Sequence, residues 1–333
     1  MGKALYESDD PAFRDAMDRC ASAYDNAVAA AHGGSPPPAH QGLLDLLGYR
    51  GSSNVTSTID NTRFAQPAIL ALGFSLAEMW RSRGVEPSIV LGHSIGEIAA
   101  ACVAGAFTIE AAMRLTVARG IAMSAIDNTQ SDGVMVAARV APSEVRTAVE
   151  AVVKRMGSVV SIAAANGPRS VVISGSRAAV AAVIQDELGI DEQQTRALKV
   201  SHAFHSPLVA AAEDPVRSTF EAIKADGLVG PTTLPVASTV SGMIEPSGSN
   251  AFANADHWIY QITGCVLFDQ AMEALCTTAP AVNFLEVSFG CEWGLHLLPT
   301  RMPFFFFTFD CSAARHSDFS NTHDHRSRPS CHA

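Results

Sequence analysis

The chain is poor in charged and aromatic residues and has no long hydrophobic run. No window approaches the roughly 18 unbroken apolar residues that a membrane-spanning helix needs, and no signal-like segment follows Met1. No Lys/Arg cluster stands out and the formal net charge is −10, so nucleic acid is not an expected partner. The seven cysteines show no CxxC spacing, which argues against a metal site and favours a reducing compartment. The predicted location is therefore the cytoplasm, with an organelle as the alternative.

What is present indicates an α/β protein with two subdomains. Apolar residues make up 48% of the 333 positions, which is enough for a sizeable core. Alternating strand and helix patterns over 133–198 follow the order β-α-β-β-α-β and predict an inserted ferredoxin-like unit. Residues 1–132 and 199–287 are predicted to form the larger α/β subdomain around it, and 288–333 an atypical tail without ordered elements.

The pentapeptide GHSIG places Ser94 between a short β-branched strand and a helix of small residues. This G-x-S-x-G sequence in a strand–turn–helix setting is typical of a nucleophile elbow, in which glycines let neighbouring backbone pass close to a strained serine. The N-terminal end of the helix favours negative charge, and the backbone N–H of Ile95 is the natural oxyanion donor. The alternative is a tight turn with a capping serine.

A nucleophilic serine needs a base, and the sequence offers several histidines. His93 is adjacent to Ser94, so its side chain is expected to diverge from the hydroxyl and to line the pocket. His202 and His205 lie in the predicted loop SHAFHSP, and the residue pattern alone does not choose between them as the base.

Arg119 is conspicuous because it interrupts an apolar helix, LTVARGIAM. One interpretation is a surface residue whose aliphatic stem covers apolar groups. The other is a two-point clamp for a substrate carboxylate, for which the planar guanidinium is better suited than a lysine.

These segments together resemble the malonyl-CoA:acyl-carrier-protein transacylases, and especially the acyltransferase domains of modular polyketide synthases. The resemblance runs from about residue 3 to 287 and keeps the family order. The matching segments are QPAILAL, GHSIGEIAAACVAGAFTIEAA, ARGIAM, AAANGPRSVVISG, VSHAFHSPL and DHWIYQI. The family resemblance implies an α/β-hydrolase-like large subdomain with a parallel sheet, plus the ferredoxin-like small subdomain.

The resemblance also implies a reaction. Ser94 takes a malonyl group from malonyl-CoA, His205 acts as the base, and the acyl group passes to the phosphopantetheine thiol of an acyl carrier protein. The family's carboxylate-binding arginine falls on Arg119, and the backbone carbonyl that orients the histidine falls on Gln261, whose side chain is expected to matter less. No bound cofactor is implied.

Further pocket residues follow from the same resemblance. His93 and His202 are expected to bind substrate, and Phe204 is expected to occupy the space that a methyl branch on the acyl group needs. A preference for malonyl over methylmalonyl units follows from that placement.

Two departures from the family pattern and three other interpretations accompany this hypothesis. The family's first strand and its GQG-type loop, a second oxyanion donor, are expected to be absent, and 288–333 matches nothing in the family.

A serine hydrolase or thioesterase would use a late histidine such as His257 or His296. A patatin-like lipase would use Asp132 before Gly133, and an inactive truncated paralogue would only dock carrier protein, alone or beside polyketide synthase domains.

Overall fold

The computed structural model describes residues 2–8, 10–50, 59–127, 132–278 and 283–287, together with the backbone of 305–309. Eleven α-helices are described in these ranges: α1 (Lys3–Tyr6), α2 (Pro11–Ala31), α3 (Leu43–Leu46), α4 (Thr62–Ser82), α5 (Ile95–Val103), α6 (Ile109–Ser124), α7 (Pro142–Met156), α8 (Arg177–Ala182), α9 (Glu213–Ala225), α10 (Ala255–Thr263) and α11 (Phe268–Thr278). The strands of the same ranges are β1 (Ile89–Gly92), β2 (Gly133–Ala138), β3 (Val160–Gly167), β4 (Ser170–Ser176), β5 (Thr195–Ala197), β6 (Val236–Ala237), β7 (Ile244–Glu245), β8 (Asn283–Glu286) and β9 (Phe305–Phe309).

The large subdomain is built around a five-stranded sheet with the order β7-β6-β1-β9-β8. β1 is buried at all four positions and pairs in parallel with β6, and it lies antiparallel to β9. β8 is also antiparallel to β9, so β1 and β8 run in the same direction. The short, fully buried β1 is the strand whose end delivers the GHSIG turn.

The tail 288–333 lies outside the described residues except for the backbone of Phe305–Phe309. At these five positions β9 forms ladder pairs with β1 and β8, an element that the sequence does not predict. A phenylalanine-rich run has high strand propensity, although it lacks the alternation that makes a half-buried strand recognisable in sequence.

Helices α2, α4 and α6 pack together as one layer beside the sheet. Asp10 caps the first turn of α2, Asn61 that of α4 and Thr108 that of α6, each by accepting a backbone N–H. α4 and α6 approach closely at Gly120, where an added Cβ would lie 3.1 Å from the Arg63 backbone. This close approach brings the facing side chains of the two helices together within the core.

The small subdomain is the antiparallel sheet β3-β4-β2-β5 with α7 and α8 on one face. Its chain order, β2-α7-β3-β4-α8-β5, is the split β-α-β arrangement that the sequence pattern predicts. Val145, Val152, Ile173 and Val180 fill the space between sheet and helices and are at most 2% exposed. The last turn of this helical segment, Val183–Glu187, widens into a π-helix.

The opposite face of the small sheet packs on the large subdomain. Val266 donates to the carbonyl of Ala163 and accepts from the N–H of Ala165, both at 2.9 Å, so β3 is joined directly to the segment between α10 and α11. Met135 and Val172 of the small sheet share an apolar cluster with Phe268 and Leu91. A cleft is left between the two subdomains at the end of β1.

No helix within the described part of the chain combines the length and the apolar character needed to cross a bilayer.

Candidate active site

The nucleophile elbow is formed where β1 ends and α5 begins. Ser94 has φ 52° and ψ −119°, a left-handed backbone conformation that few non-glycine residues adopt. An added Cβ at Gly92 would collide with the backbone of Gly96 and Glu97, so a glycine is required there. The turn therefore directs the Ser94 side chain into the cleft, as the motif predicts.

Ser94 and His205 form a hydrogen-bonded pair. The Ser94 Oγ lies 2.7 Å from His205 Nε2, across 111 positions of sequence. The Nδ1 atom of His205 lies 3.2 Å from the carbonyl oxygen of Gly264 and donates to it. This contact assigns the tautomer in which Nε2 is free to accept the serine proton.

Two backbone groups act on His205: Gly264, and Gln261, which the family resemblance implies in this role. The 3.2 Å contact is made by the carbonyl of Gly264, three residues beyond Gln261, although the Gln261 backbone also favours the charged form of His205. The Gln261 side chain instead donates from Nε2 to the carbonyl oxygen of Ser94 at 2.9 Å. The Gln261 side chain therefore has a contact that the sequence does not predict, since its amide supports the elbow backbone.

The environment of His205 keeps it neutral. Burial, followed by the charges of Arg119 and His93, lowers the pKa of His205 to about 3, although its hydrogen bonds to the backbone act in the opposite direction. His205 also has a positive φ of 57° and is only 5% exposed. A buried, neutral imidazole at hydrogen-bond distance from a serine is suited to accept its proton.

Arg119 is a buried cation without an acidic partner. It is 4% exposed, and its Nη1 donates to the Gln66 Oε1 at 2.6 Å. Its Nε has no hydrogen-bond partner, and no Asp or Glu of the described residues forms an ion pair with it. Burial lowers the Arg119 pKa to about 10, so the group stays charged near pH 7. An unpaired buried guanidinium is expensive to maintain and favours an incoming anion.

Ser94, His205 and Arg119 all line one cleft of about 410 Å³ between the subdomains. Its volume is in the range of small-molecule sites. The remaining wall is mixed in character and includes Gln66, Ile69, His93, Ile95, Met135, Asn166, Val172 and Phe204.

Ile95 lies at the position that the sequence predicts for an oxyanion donor. It is the first residue of α5, so its backbone N–H has no carbonyl acceptor within the helix. The helix dipole adds to the preference for negative charge beside Ser94.

His93 lines the cleft and does not contact the nucleophile. Its Nε2 lies 2.8 Å from Asn166 Oδ1, and its ring packs on Phe268 with centroids 5.5 Å apart. Burial lowers the His93 pKa below its ordinary value. Because Asn166 belongs to β3, this hydrogen bond also joins the elbow to the small subdomain.

His202 is placed differently from the expectation that it binds substrate. Its ring nitrogens lie 2.8 Å from Ser201 Oγ and 2.9 Å from the Ile126 carbonyl, and the residue is not part of the cleft wall. Its ring packs on Phe204, with centroids 5.7 Å apart. Phe204 lines the cleft, so His202 contacts the cleft wall through Phe204 and not directly.

Three residues of the site were not singled out from the sequence. Gln66 and Asn166 lie within segments that carry the family resemblance, QPAILAL and AAANGP, but neither short pattern points to a role by itself. Gly264 contributes only a backbone carbonyl, for which a sequence has no side-chain signal.

No group of three or more His, Cys, Asp or Glu side chains suited to hold a metal ion occurs among the described residues. His323, His325, Cys331 and His332 of the tail, whose spacing fits no common zinc site, lie outside them.

Comparison with known proteins places the chain in a family. The profile of the acyl transferase domain matches residues 1–291. Mycoketide-CoA synthase of Mycobacterium tuberculosis is 41% identical over 229 residues, which is 69% of this chain and 5% of that protein. An erythronolide synthase of Saccharopolyspora erythraea is 33% identical over 288 residues, which is 86% of this chain and 7% of that protein.

Solved structures show the same architecture. The acyltransferase domain from the second module of the salinomycin polyketide synthase has a TM-score of 0.67 at 33% identity, covering 83% of this chain and 57% of that one. The acyl-carrier-protein S-malonyltransferase of Bartonella henselae has a TM-score of 0.63 at 24% identity, covering 79% and 77%, and shows likeness of fold.

The chain belongs to the acyl transferase domain family, and the predicted α/β-hydrolase-like fold with a ferredoxin-like subdomain is confirmed. It is an acyltransferase by family, and it spans only a small part of the curated synthases that it matches.

The pKa of His205 leads to a prediction about pH. Phenylmethylsulfonyl fluoride, a neutral serine-reactive reagent, is expected to inactivate the protein at a rate that changes less than about twofold between roughly pH 5.5 and 8. The reason is that His205, with a pKa of about 3, stays neutral throughout this window, whereas a histidine of ordinary pKa becomes protonated within it.

The measurement is the mass-resolved labelling rate, with Ser94→Ala as the unlabelled control. A fall of about tenfold towards the acid end of this window would contradict the depressed pKa.

Proposed function

We propose that the chain transfers a malonyl group from malonyl-CoA, through an ester on Ser94, to the phosphopantetheine thiol of an acyl carrier protein. The observation that carries this proposal is Arg119, a buried guanidinium in the same cleft as the Ser94–His205 pair. It has no carboxylate partner among the residues that the structure describes. A malonyl thioester has one free carboxylate at the end opposite to the sulfur. Binding that carboxylate at Arg119 presents the thioester carbonyl to Ser94.

The first half-reaction forms the acyl-enzyme. The Ser94 Oγ attacks the thioester carbon while its proton moves to His205 Nε2, and the developing oxyanion accepts from the Ile95 N–H. The C–S bond then breaks, and the CoA thiolate leaves as the thiol after taking the proton from His205. In the second half-reaction, the carrier thiol gives its proton to His205 and its sulfur attacks the carbonyl carbon of the Ser94 ester. The C–O bond to Ser94 then breaks, and the Ser94 Oγ takes the proton back from His205, which restores the free serine and the neutral histidine.

Substrate binding also raises the low pKa of His205, which otherwise makes this histidine a weak base. The Arg119 charge is the second cause, after burial, of the low His205 pKa. A malonyl carboxylate beside Arg119 neutralises that charge and raises the His205 pKa towards a value suited to a general base. An acetyl group provides no such compensation, so charge pairing favours malonyl groups in both binding and chemistry.

The same residues count against the hydrolase interpretations. His257 lies 3.3 Å from the Glu97 carboxylate, and the dyad base is His205. Asp132 forms a two-point ion pair with Arg177, at 2.8 and 3.0 Å. His296 lies outside the described residues. Neither alternative explains a buried guanidinium beside the nucleophile.

The partners follow from the same chemistry. Malonyl-CoA supplies the acyl group, and a carrier protein accepts it without any bound cofactor in the chain. The curated relatives are synthases of which this chain spans 5% and 7%, which supports adjoining polyketide synthase domains as partners. A cytoplasmic location, or an organellar one, provides malonyl-CoA and suits Cys20, Cys102 and Cys265, which form no disulfide.

The proposal is tested by intact-mass spectrometry after exposure to malonyl-CoA. We expect one malonyl adduct per chain, absent in Ser94→Ala, which disappears when a phosphopantetheinylated carrier protein is added and reappears on that carrier. Release of free malonate at a comparable rate without carrier would identify a hydrolase. No adduct at any substrate concentration would identify an inactive paralogue.

Arg119 provides a second prediction. Arg119→Lys keeps the charge but loses the two-point geometry, so kcat/KM for malonyl-CoA is expected to fall roughly tenfold to a hundredfold. Arg114→Lys is the matched control on the same helix, since Arg114 pairs with Asp226 outside the cleft. Equal losses in the two variants, measured by steady-state transfer to carrier, would exclude the clamp.

Phe204 provides a prediction about the acyl group. Its ring lies in the cleft wall and is supported by His202, so it leaves little space for a branch at the malonyl α-carbon. In direct competition, malonyl-CoA is expected to be used at least about tenfold faster than methylmalonyl-CoA, because the pocket has no space for the additional methyl group. Phe204→Ala is expected to lower the ratio of the malonyl-CoA rate to the methylmalonyl-CoA rate. A preference of the wild-type protein for methylmalonyl-CoA would contradict the role proposed for Phe204.

A further inference from the structure

Glu97 is a carboxylate with no exposed surface directly behind the nucleophile. It is the third residue of α5, it is 0% exposed, and its backbone N–H donates to the Ser94 carbonyl at 2.9 Å. Burial of a carboxylate is costly unless the group is paired and hydrogen-bonded. The acyl transfer steps above assign it no task, so its presence calls for a physical explanation.

Both oxygens of this carboxylate are occupied. Oε1 accepts from Ser238 Oγ at 2.8 Å and lies 3.3 Å from the ring Nε2 of His257. Oε2 accepts from Thr239 Oγ1 at 2.5 Å. Glu97 therefore hydrogen-bonds the turn after β6, which carries Ser238 and Thr239. It also lies against His257 of α10, whose Nε2 makes no hydrogen bond within the described part of the chain.

The first of these segments reaches the elbow from the strand side. The Thr239 Oγ1 lies 3.2 Å from the carbonyl oxygen of Gly92, the residue that ends β1. The Thr239 carbonyl accepts the N–H of Leu267 at 2.7 Å, which anchors the chain just beyond Gly264. One threonine thus contacts Glu97, the end of β1 and the segment that provides the acceptor for His205.

The second segment reaches both members of the catalytic pair. Helix α10 carries His257 in its first turn and Gln261 near its end, and Gly264 follows the helix directly. Gln261 holds the Ser94 carbonyl, and the Gly264 carbonyl accepts from His205 Nδ1. The His257 ring is fixed between Phe252 and Trp258, with centroids 4.8 and 4.7 Å away. A displacement of α10 would therefore move the groups that orient Ser94 and His205 together.

We propose that Glu97 is a positioning residue for the Ser94–His205 pair, which it fixes by tying Thr239 and His257 to the base of the nucleophile helix. The proposal rests on the dyad of the proposed function, and it is independent of the identity of the acyl group. It predicts that breaking these ties slows chemistry at Ser94 while leaving the Arg119 end of the cleft, and hence substrate affinity, unchanged.

The decisive variants are Thr239→Val and Thr239→Ser. Valine has the shape of threonine but lacks the hydroxyl that contacts both Glu97 and Gly92, whereas serine retains that hydroxyl. We expect Thr239→Val to lower the phenylmethylsulfonyl fluoride labelling rate and the kcat for malonyl transfer by about tenfold, with KM changed less than about twofold. Thr239→Ser is expected to restore both rates to within about threefold of the wild type.

Glu97→Gln is the companion variant, expected to act in the same direction because the amide cannot accept at both oxygens and pair with His257. Ile223→Val, in the core of α9, is the control for a general loss of stability, followed by thermal unfolding. If Ile223→Val slows labelling as much as Thr239→Val at equal melting temperature, the effect is merely structural and the proposal is wrong.

Sulfonyl fluoride labelling and malonyl transfer are separate measurements, so the positioning role and the proposed function can fail independently. Normal labelling of Thr239→Val by the sulfonyl fluoride overturns the positioning role, whatever happens to malonyl transfer. Slowed labelling of Thr239→Val and Glu97→Gln, restored in Thr239→Ser, supports it even if the wild-type protein transfers no malonyl group and the proposed function fails.

Discussion

The close approach of two backbone segments at Gly92 is the constraint on which the site depends. Any side chain at this position would collide with the first turn of α5, so the strand and the helix can meet only through a glycine. The backbone between them is forced into the left-handed conformation of Ser94. That single turn exposes the hydroxyl, places the Ile95 N–H beside it and directs the dipole of the helix at the same point.

Burial gives the residues around this turn their chemistry. His205 and Arg119 are ordinary side chains whose pKa values are lowered because water is excluded from the cleft. The Arg119 charge also lowers the pKa of His205, because it disfavours a second positive charge nearby. In the proposed reaction, a ligand carboxylate at Arg119 neutralises that charge, so recognition of one end of the substrate is coupled to activation of the base at its other end.

The small subdomain completes the site by supplying a second wall. Its sheet lies against the large subdomain through the Val266 backbone, and Asn166 at the end of β3 holds His93 next to the nucleophile. The antiparallel sheet covers its own core with helices on one face and leaves the other face for this contact. The cleft between the subdomains therefore results from the same packing that buries the apolar residues of both.

Much of this arrangement was predictable from sequence because it depends on local patterns. The elbow is predicted by the glycines and the serine between a β-branched run and a helix. The split β-α-β unit is predicted by segments in which apolar residues alternate as in a strand and segments in which they recur at helical spacing. The choice of Arg119 and His205 needed more than local pattern, since it came from the resemblance of whole segments to a family. β9 escaped detection because a run of similar residues lacks the alternation that marks a strand.

Taken alone, the sequence determined the elements, the strained serine and the types of side chain available, since these depend on backbone preferences over a few residues. Only the tertiary structure decided which groups meet. Ser94 and His205 are 111 positions apart in sequence, and Glu97 and Thr239 are 142 apart. Hydrogen bonds between residues so far apart depend on tertiary packing rather than on local conformation. The carbonyl of Gly264, the supporting amide of Gln261 and the buried position of His202 beside Phe204 depend on backbone or packing contacts of this kind, which no residue type specifies in advance.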